Sequence, residues 1–497
     1  MKKITLIIAV FLSVVLQSSG QQNEIAEKYA ETITGSDLRT HLSVLASDAL
    51  GGRDTGQPGQ KMAAAYIKEH FYQLGLKGPV NSEYGDGFYQ KVPLYTTTIE
   101  EVYVSVKGRK HTHLEEYIFV QGNDSKSEIT TDVVFAGSGA MEELEGLDFG
   151  GKAVLIINED FNSVAQQVIE KGPSVIFIQA GENKDFFNKV KGHFQQSADN
   201  PRMRLDKEGK GEDISVFFVT PGFAETIFGL TQKKLMSHIG PGNKKGGLKK
   251  VKPAKVGIYV KKKVNTIATE NVLGYLEGTD KKDELLVITS HYDHVGTSGD
   301  DIYNGADDDG SGTVAVLELA EAFKKAKDEG NGPRRSILFM PVTGEEKGLL
   351  GSDYYSRNPV FSLDNTVTNL NIDMIGRTDP QHEDSGDYVY IIGSDKLSTE
   401  LHEINEQANS TYTKMELDYT YNDEAHPERF YYRSDHWNFA KNGVPIIFYF
   451  NGTHADYHKP TDTIEKIEFD KLTKRTKLVF YTAWEIANRD QRPVVDK

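Results

Sequence analysis

Four short apolar runs in the second half of this chain each end at imidazoles or carboxylates, and that coincidence constrains the fold more than any other feature. Glu284-Leu285-Leu286-Val287-Ile288-Thr289 is followed by His291-Tyr292-Asp293-His294. Ser336 to Val342 is followed by Thr343-Gly344-Glu345-Glu346, the weaker run Thr366 to Ile372 by Asp373, and Val444 to Phe450 by a loop with His454, Asp456 and His458. Apolar runs of this length between turn signals read as buried strands. Between the first two lies Thr313 to Lys325, with Val316, Leu319, Ala320 and Phe323 at helical spacing. Strands alternating with helices predict an α/β fold, a mostly parallel sheet sandwiched by helices. In such sheets sites form beyond the carboxyl ends of the strands.

The first half has a different texture. From about Glu24 to Pro93 it reads as helical, with Ala63, Ala64, Ile67, Phe71 and Leu74 recurring at three- and four-residue intervals before Gly75. From Leu94 to about Val264 short β runs dominate: Val102 to Val106, Val133 to Phe135, Ala153 to Ile157 and Ser174 to Ile178, with one helical stretch at Ser163 to Lys171. Two Lys-rich segments, Lys244 to Lys255 and Lys261 to Lys263, read as solvated loop faces. Lys2 and Lys3, the apolar run Ile4 to Leu16 and the small residues Ser18-Ser19-Gly20 read as a cleavable signal peptide over residues 1–20. That run is too short for a comfortable membrane span. The expected organisation is therefore a secreted or periplasmic chain, with residues 21–95 and 265–497 forming one domain around a β-rich insert at 96–264.

Composition narrows the chemistry. Lys+Arg 57 against Asp+Glu 73 leaves a net charge of −16, which disfavours nucleic acid and anionic lipid as partners. With no cysteine, the chain has no disulfide, thiolate-held zinc, iron–sulfur cluster or thiol nucleophile. A metal must be held by His, Asp and Glu. Each motif alone has an ordinary explanation: Asp307-Asp308-Asp309 could cap a helix, and Glu345-Glu346 could be a solvated pair. Gathered at one sheet edge, however, the carboxylates repel and raise one another's pKa, a cost that a divalent cation removes. Imidazoles with carboxylates suit Zn²⁺ first, with Co²⁺ or Mn²⁺ as substitutes. There are enough ligands for two ions ~3.5–4 Å apart. Successive residues leaving a strand point to opposite sides, so one glutamate of the pair can bind metal while the other acts as general base.

Six stretches, taken in order, resemble the dinuclear zinc exopeptidases of the bacterial leucyl-aminopeptidase type, in the superfamily of glutamate carboxypeptidase and the transferrin receptor. They are His291 to His294, Asn304 to Gly312, Gly344 to Ser352, Asn371 to Met374, Arg433-Ser434-Asp435-His436 and Tyr457 to Thr463. Similarity extends to Gly51-Gly52-Arg53-Asp54-Thr55-Gly56. The resemblance implies that Asp307 bridges two zinc ions, with His291 and Asp373 completing one site and Glu346 and His458 the other. Glu345 would be the general base and acid, and Asp293 would hold the ring of His291. A cis peptide would join Asp307 to Asp308, Asp308 and Asp462 would support the ligands from behind, and Tyr431 or Tyr432 would donate to the tetrahedral intermediate. His294 is expected to end its loop structurally, His454 to line the entrance, His436 to pack or hydrogen-bond, and Asp309 and Ser311 to cap the next helix. His70, His193, His382, His402 and His426 receive no role. Phe149 to Ile156, a helix, and Lys171 to Phe177 resemble the protease-associated domain inserted in many such enzymes.

The resemblance thus implies an exported zinc aminopeptidase acting on peptide or protein N-termini. A carboxypeptidase or dipeptidase of the same superfamily is the nearest alternative, with Arg377 or Arg433 gripping a substrate carboxylate. A catalytically inactive, receptor-like binding protein on this scaffold would not need to keep Glu345. A single-zinc, glutaminyl-cyclase-like transferase would not need the ligand His291.

Overall fold

The computed structural model describes residues 22–81, 87–181, 183–199, 201–208, 214–240 and 247–497. The expected signal peptide lies outside the described residues. The chain forms two compact units, one built from the residues up to Pro93 together with Ala268–Lys497, the other from Leu94–Ile267.

The first unit is organised by a seven-stranded sheet. Its strands are β1 (Gly274–Leu276), β2 (Lys281–His291), β3 (Arg335–Val342), β4 (Thr366–Ile372), β5 (Tyr388–Ile392), β6 (Glu416–Asp418) and β7 (Ile446–Phe450). Their spatial order is β6-β5-β7-β4-β2-β3-β1. The pairs β2–β3, β2–β4, β4–β7 and β5–β6 are parallel, while β1–β3 and β5–β7 are antiparallel. Both faces of the central strands are covered. Leu286 and Ile288 point into one apolar cluster, and Leu285 and Val287 into the other. Burial on two faces explains why β2 reads as a continuous apolar run instead of an alternating one. Each of these side chains is fully or nearly fully buried, which stabilises the fold by about 1.5–3 kcal/mol apiece.

Five helices that matter below are α1 (Gly35–Leu45), α2 (Pro58–Gln73), α3 (Gly312–Asp328), α4 (Leu350–Arg357) and α5 (Phe469–Asn488). The periodic residues Ala63, Ala64, Ile67 and Phe71 of α2 all join the larger cluster, together with Val316, Leu319 and Phe323 of α3. Helix α2 stops where the periodicity predicts, with Leu74 as its cap and Gly75 at φ +74°. The register sets the parallel strand ends side by side: His291 lies opposite Val342, and Ile372 opposite Tyr449. The loops that follow these strands therefore open at one edge of the sheet.

The second unit carries an eight-stranded sheet in which Ile129–Phe135, Ala153–Ile157, Val175–Gln179 and Ser215–Val219 pair in parallel succession. Its helical content exceeds the expectation of one helical stretch. Asp185–Asp199 and Pro221–Phe228 are helices as well as Ala165–Ile169. Among the described residues no helix is long and apolar enough to cross a membrane.

Candidate metal centre

The centre is assembled from the segments that leave β2, β3, β4 and β7 and from the turn that starts α3. His291 is the last residue of β2. Its backbone amide donates to Asp309 Oδ2 (3.1 Å), and its ring Nδ1 faces the backbone carbonyl of Asp293 at 3.1 Å. That contact directs Nε2 inward, 3.2 Å from Asp308 Oδ1, 3.7 Å from Asp373 Oδ1 and 3.9 Å from Glu345 Oε2. Asp373, the first residue past β4, is steadied on its other oxygen by the Ser434 hydroxyl at 2.6 Å. On the opposite side, His458 Nε2 lies 3.0 Å from Asp308 Oδ2 and 3.1 Å from Glu346 Oε1, while His294 Nδ1 lies 2.9 Å from the same Glu346 oxygen. Two groups of converging ligand atoms result, His291/Asp308/Asp373 and His294/Asp308/Glu346/His458, with Asp308 common to both.

The local backbone is shaped to permit this. Gly305 has φ +53°, and a Cβ there would fall 2.2 Å from the Asp308 carbonyl and 2.6 Å from the His294 ring, so only glycine fits. A Cβ on Gly312 would meet the Asp309 carboxylate at 2.4 Å. Met374 and His458 themselves sit at φ +58° and +52°, sparsely populated values for residues with side chains that concentrate at functional sites. The segment Gly51 to Gly56 acts as a clamp. Arg53 is 1% exposed and donates to the carbonyls of Tyr292 (2.8 Å), Asn304 (2.6 Å) and Gly305 (2.9 Å), and Thr55 donates to Asp293 Oδ2 (2.7 Å).

Several expectations shift by a residue or change partner. Asp307 does not bridge. Its Oδ1 accepts from the Gly376 amide (2.7 Å) and its Oδ2 faces His454 Nε2 (3.2 Å), whereas Asp308 presents one oxygen to each ligand group. Consistently, the cis peptide joins Asp308 to Asp309, one bond later than expected. His294 is no mere loop terminus, since its ring packs at 5.5 Å from that of His458 within the second group. Asp293 steadies His291 through its backbone carbonyl, while its carboxylate stands 3.9 Å from the ring. Asp309 accepts from the Gly312 amide (2.8 Å) and also from Met374 (3.1 Å), but Ser311 gives α3 no side-chain cap and bonds the Asp307 carbonyl and the Ile375 amide instead.

Other expected residues are placed plainly. Asp462 accepts from the backbone amides of Asp307 (3.0 Å) and Asp308 (3.2 Å), gripping the bridging turn. His436 is buried, bonded to the Tyr431 carbonyl and stacked on Phe448. Neither expected tyrosine reaches the cleft. Tyr432 donates to Glu424 at 3.0 Å on the exposed side, and Tyr431 packs against Trp437. The cleft is lined instead by Tyr457, with His291, Asp308, Glu345, Asp373 and Arg433 among its neighbours. Tyr457 immediately precedes His458 and stacks on it at 4.0 Å. Adjacency to a ligand was the signal available in the sequence.

The electrostatics match a cation site. Burial opposes charging His458, yet its contacts with Asp308 and Glu346 lift it to about 10. Burial would raise Glu346, but the imidazoles of His294 and His458 hold it down at about 2, and the same kind of pairing draws Asp308 well below the usual carboxylate range. Glu345 moves the other way. Burial, helped by Glu346, Asp373 and Asp435, pushes its carboxyl well above normal against the pull of His291. Asp308 Oδ2, Glu346 Oε1 and both ring nitrogens of His294 are buried without a hydrogen-bond partner. Close oxygens and nitrogens that converge without hydrogen-bonding alignment fit a divalent cation, and three imidazoles with three carboxylates and no thiolate are a zinc-type donor set.

The chain shares its fold with an aminopeptidase from Aneurinibacillus sp. strain AM-1, at TM-score 0.50 and 19% identity over 95% of this chain and 98% of that one. Residues 271–483 match the model of Peptidase family M28. A probable leucine aminopeptidase of Arthroderma otae is 32% identical over 214 residues, 42% of this chain and 55% of that protein. Aminopeptidase YwaD of Bacillus subtilis is 26% identical over 233 residues, 45% of this chain and 46% of that protein. The chain thus spans about half the length of the curated relatives it matches.

Proposed function

We propose that the protein is a zinc-dependent exopeptidase that removes residues from peptide N-termini, exported by its first 20 residues and carrying a protease-associated-like insert in its second unit. One observation carries the reading: Asp308 offers an oxygen to each of two ligand groups, while Glu345 Oε2 stands 3.9 Å from His291 Nε2 and belongs to neither group. His291 and Asp373 would hold one ion, Glu346, His458 and His294 a second, and Asp308 both. Divalent cations, if held there, would supply the positive charge that acidifies water and polarises a carbonyl.

The remaining work falls to the chain's own groups. Glu345, its carboxyl pushed up by burial and by neighbouring carboxylates, accepts the proton of the attacking water and returns it to the leaving amine. The Tyr457 phenol is also pushed up, by burial and by the carboxylates around it, so it stays protonated and can donate to the oxyanion as the carbonyl turns tetrahedral. Asp308, Glu345 and Asp373 lining the cleft favour a cationic α-amine at the reacting end.

Arg433 lines the same cleft, bonded to the exposed Glu428 at 3.1 Å, and it supports a second reading in which a substrate carboxylate is gripped. Arg377 does not, because it is not among the residues lining the cleft. Hydrolysis of aminoacyl-chromophores beside their N-acetylated and C-terminally free counterparts, with and without chelator, decides. Cleavage confined to free amines, lost on chelation and restored by Zn²⁺, is expected. Preference for a free carboxylate would transfer the role to Arg433, and no cleavage of any kind would leave a binding protein.

A further inference from the structure

A second gathering of imidazoles and carboxylates sits in the first unit, built from residues outside the centre at Asp308. His41 on α1 and His70 on α2 meet Glu318 and Glu321 on α3. At about 1.5 Å rise per residue these glutamates lie roughly 9–14 Å along α3 from Gly312, and, three residues apart, they share a face. Ligand atoms of His41, His70 and Glu321 all lie within 4.8 Å of one another, and Glu318 Oε1 approaches His41 Nε2 at 3.6 Å. The two rings stand edge to face at 4.6 Å.

Three features separate this cluster from ordinary helix packing. His41 Nδ1 contacts the Tyr66 hydroxyl at 2.8 Å, which leaves Nε2 facing inward. His70 bonds the backbone of Leu317, its buried Nε2 has no hydrogen-bond partner, and one of its ring nitrogens lies within 4.8 Å of the ligand atoms of His41 and Glu321. Holding one ring nitrogen by an outer partner is how proteins orient a metal-binding imidazole. The Glu318 side chain is only 2% exposed, and its Oε1 also lacks a hydrogen-bond partner. Burial further depresses His70 to about 4, keeping the ring neutral at physiological pH, and raises Glu318 to about 8. Both are groups that a nearby cation would satisfy.

We propose that His41, His70, Glu318 and Glu321 form an additional site for a divalent transition-metal ion of the zinc class, which ties α1, α2 and α3 together without contributing to the chemistry at Asp308. Two imidazoles and two carboxylates complete a four-coordinate nitrogen–oxygen set that balances the ion's charge. Glu321 is exposed and gives the ion a route from solvent.

The test counts ions on the full-length chain. After stripping with chelator, zinc binding is measured by calorimetry and elemental analysis for the wild type, for His70→Gln/Glu321→Gln, and for both in a background of Asp308→Asn/Glu346→Gln. The wild type is expected to hold one more ion than the His70→Gln/Glu321→Gln variant, and the same difference of one should persist when the centre at Asp308 is disabled. Zinc at a hundredfold excess over Kd should raise the unfolding midpoint of the Asp308→Asn/Glu346→Gln protein by about 5 °C, a rise lost in the quadruple variant. Should that variant fail to fold, Glu321→Gln alone, at an exposed position, should weaken the additional site at least tenfold while leaving hydrolysis unchanged. Equal ion counts with and without His70 and Glu321, or an affinity indifferent to Glu321→Gln, would overturn the assignment.

Discussion

Both units of this chain contain a run of parallel strands, and only one of them turns it into a cluster of unsatisfied charge. In Leu94–Ile267 the parallel strands Ala153–Ile157, Val175–Gln179 and Ser215–Val219 lead into Asn158, Ala180-Gly181 and Thr220-Pro221. The polar groups there are spent locally. Asn158 donates to the Ser138 carbonyl (2.8 Å) and accepts from the Asp160 amide (2.8 Å), and Thr220 caps the helix that follows. In the first unit the same positions carry His291, Glu345, Glu346, Asp373 and His458, and Asp308 Oδ2 and Glu346 Oε1 stay buried without hydrogen bonds. Every metal-capable group among the described residues lies in that unit. Parallel strand ends supply a converging geometry, and chemistry arises where side chains are left electrostatically incomplete within it.

The contrast can be broken most directly at Glu345. Its replacement by Ala should lower kcat by about 10²–10⁴-fold with zinc content unchanged, whereas Asn158→Ala, the counterpart beyond a strand of the second unit, should leave turnover intact. Steady-state kinetics with metal analysis of both variants reads this out, and full activity in Glu345→Ala would remove it from the mechanism. A smaller effect sharpens the ligand assignment. Asp308→Asn removes the carboxylate shared by both groups and should cost more than ~100-fold in zinc affinity. Asp307→Asn disturbs only the Gly376 and His454 contacts and should stay within the ~10–100-fold typical of outer partners. Equal losses in competition titrations would return the bridge to Asp307.

The shift of the bridging role from Asp307 to Asp308 has a physical cause. The apolar runs of β2, β3, β4 and β7 and the periodicity of α2 and α3 are visible because burial on one or two faces imposes a repeat on the sequence. Within Asp307-Asp308-Asp309 no repeat exists. Which carboxylate turns inward depends on the backbone path through Gly305 and on the grip of Asp462 on two successive amides, neither of which composition encodes. The same holds for His294, which joins the second ligand group, and for Tyr457, which lines the cleft: both are placed by loop geometry. The helix Asp185–Asp199 is not legible in the sequence because its spacing of Phe186, Phe187, Val190 and Phe194 is diluted by Lys, Asn and Gln, and tertiary packing decides such segments.

The least of the expected effects tests whether the second unit, without a cation-type cluster among its described residues, still responds to acid. His113 packs in it between the rings of Tyr117 (5.7 Å) and Phe194 (5.4 Å), its Nε2 without a hydrogen-bond partner, and burial presses its pKa down to about 4. A histidine that resists protonation when folded but titrates near 6.5 when unfolded makes the unfolded chain bind more protons between those values. Its contribution is therefore neutral above about pH 6.5 and becomes increasingly destabilising as pH falls toward 4. Solvent reaches part of the ring, so the loss stays well short of the full shift. Both tryptophans, Trp437 and Trp484, belong to the first unit. Denaturant unfolding followed by far-ultraviolet circular dichroism, alongside tryptophan emission, separates the two units. The transition silent in tryptophan emission should move to lower denaturant between pH 7 and pH 5 in the wild type and move less in His113→Gln. His70, depressed in the same direction within the first unit, should make the tryptophan-detected transition acid-sensitive in both proteins alike. Identical pH slopes for the silent transition in wild type and His113→Gln would show that the ring is protonated without cost, and the second unit would then owe its acid response to carboxylates alone.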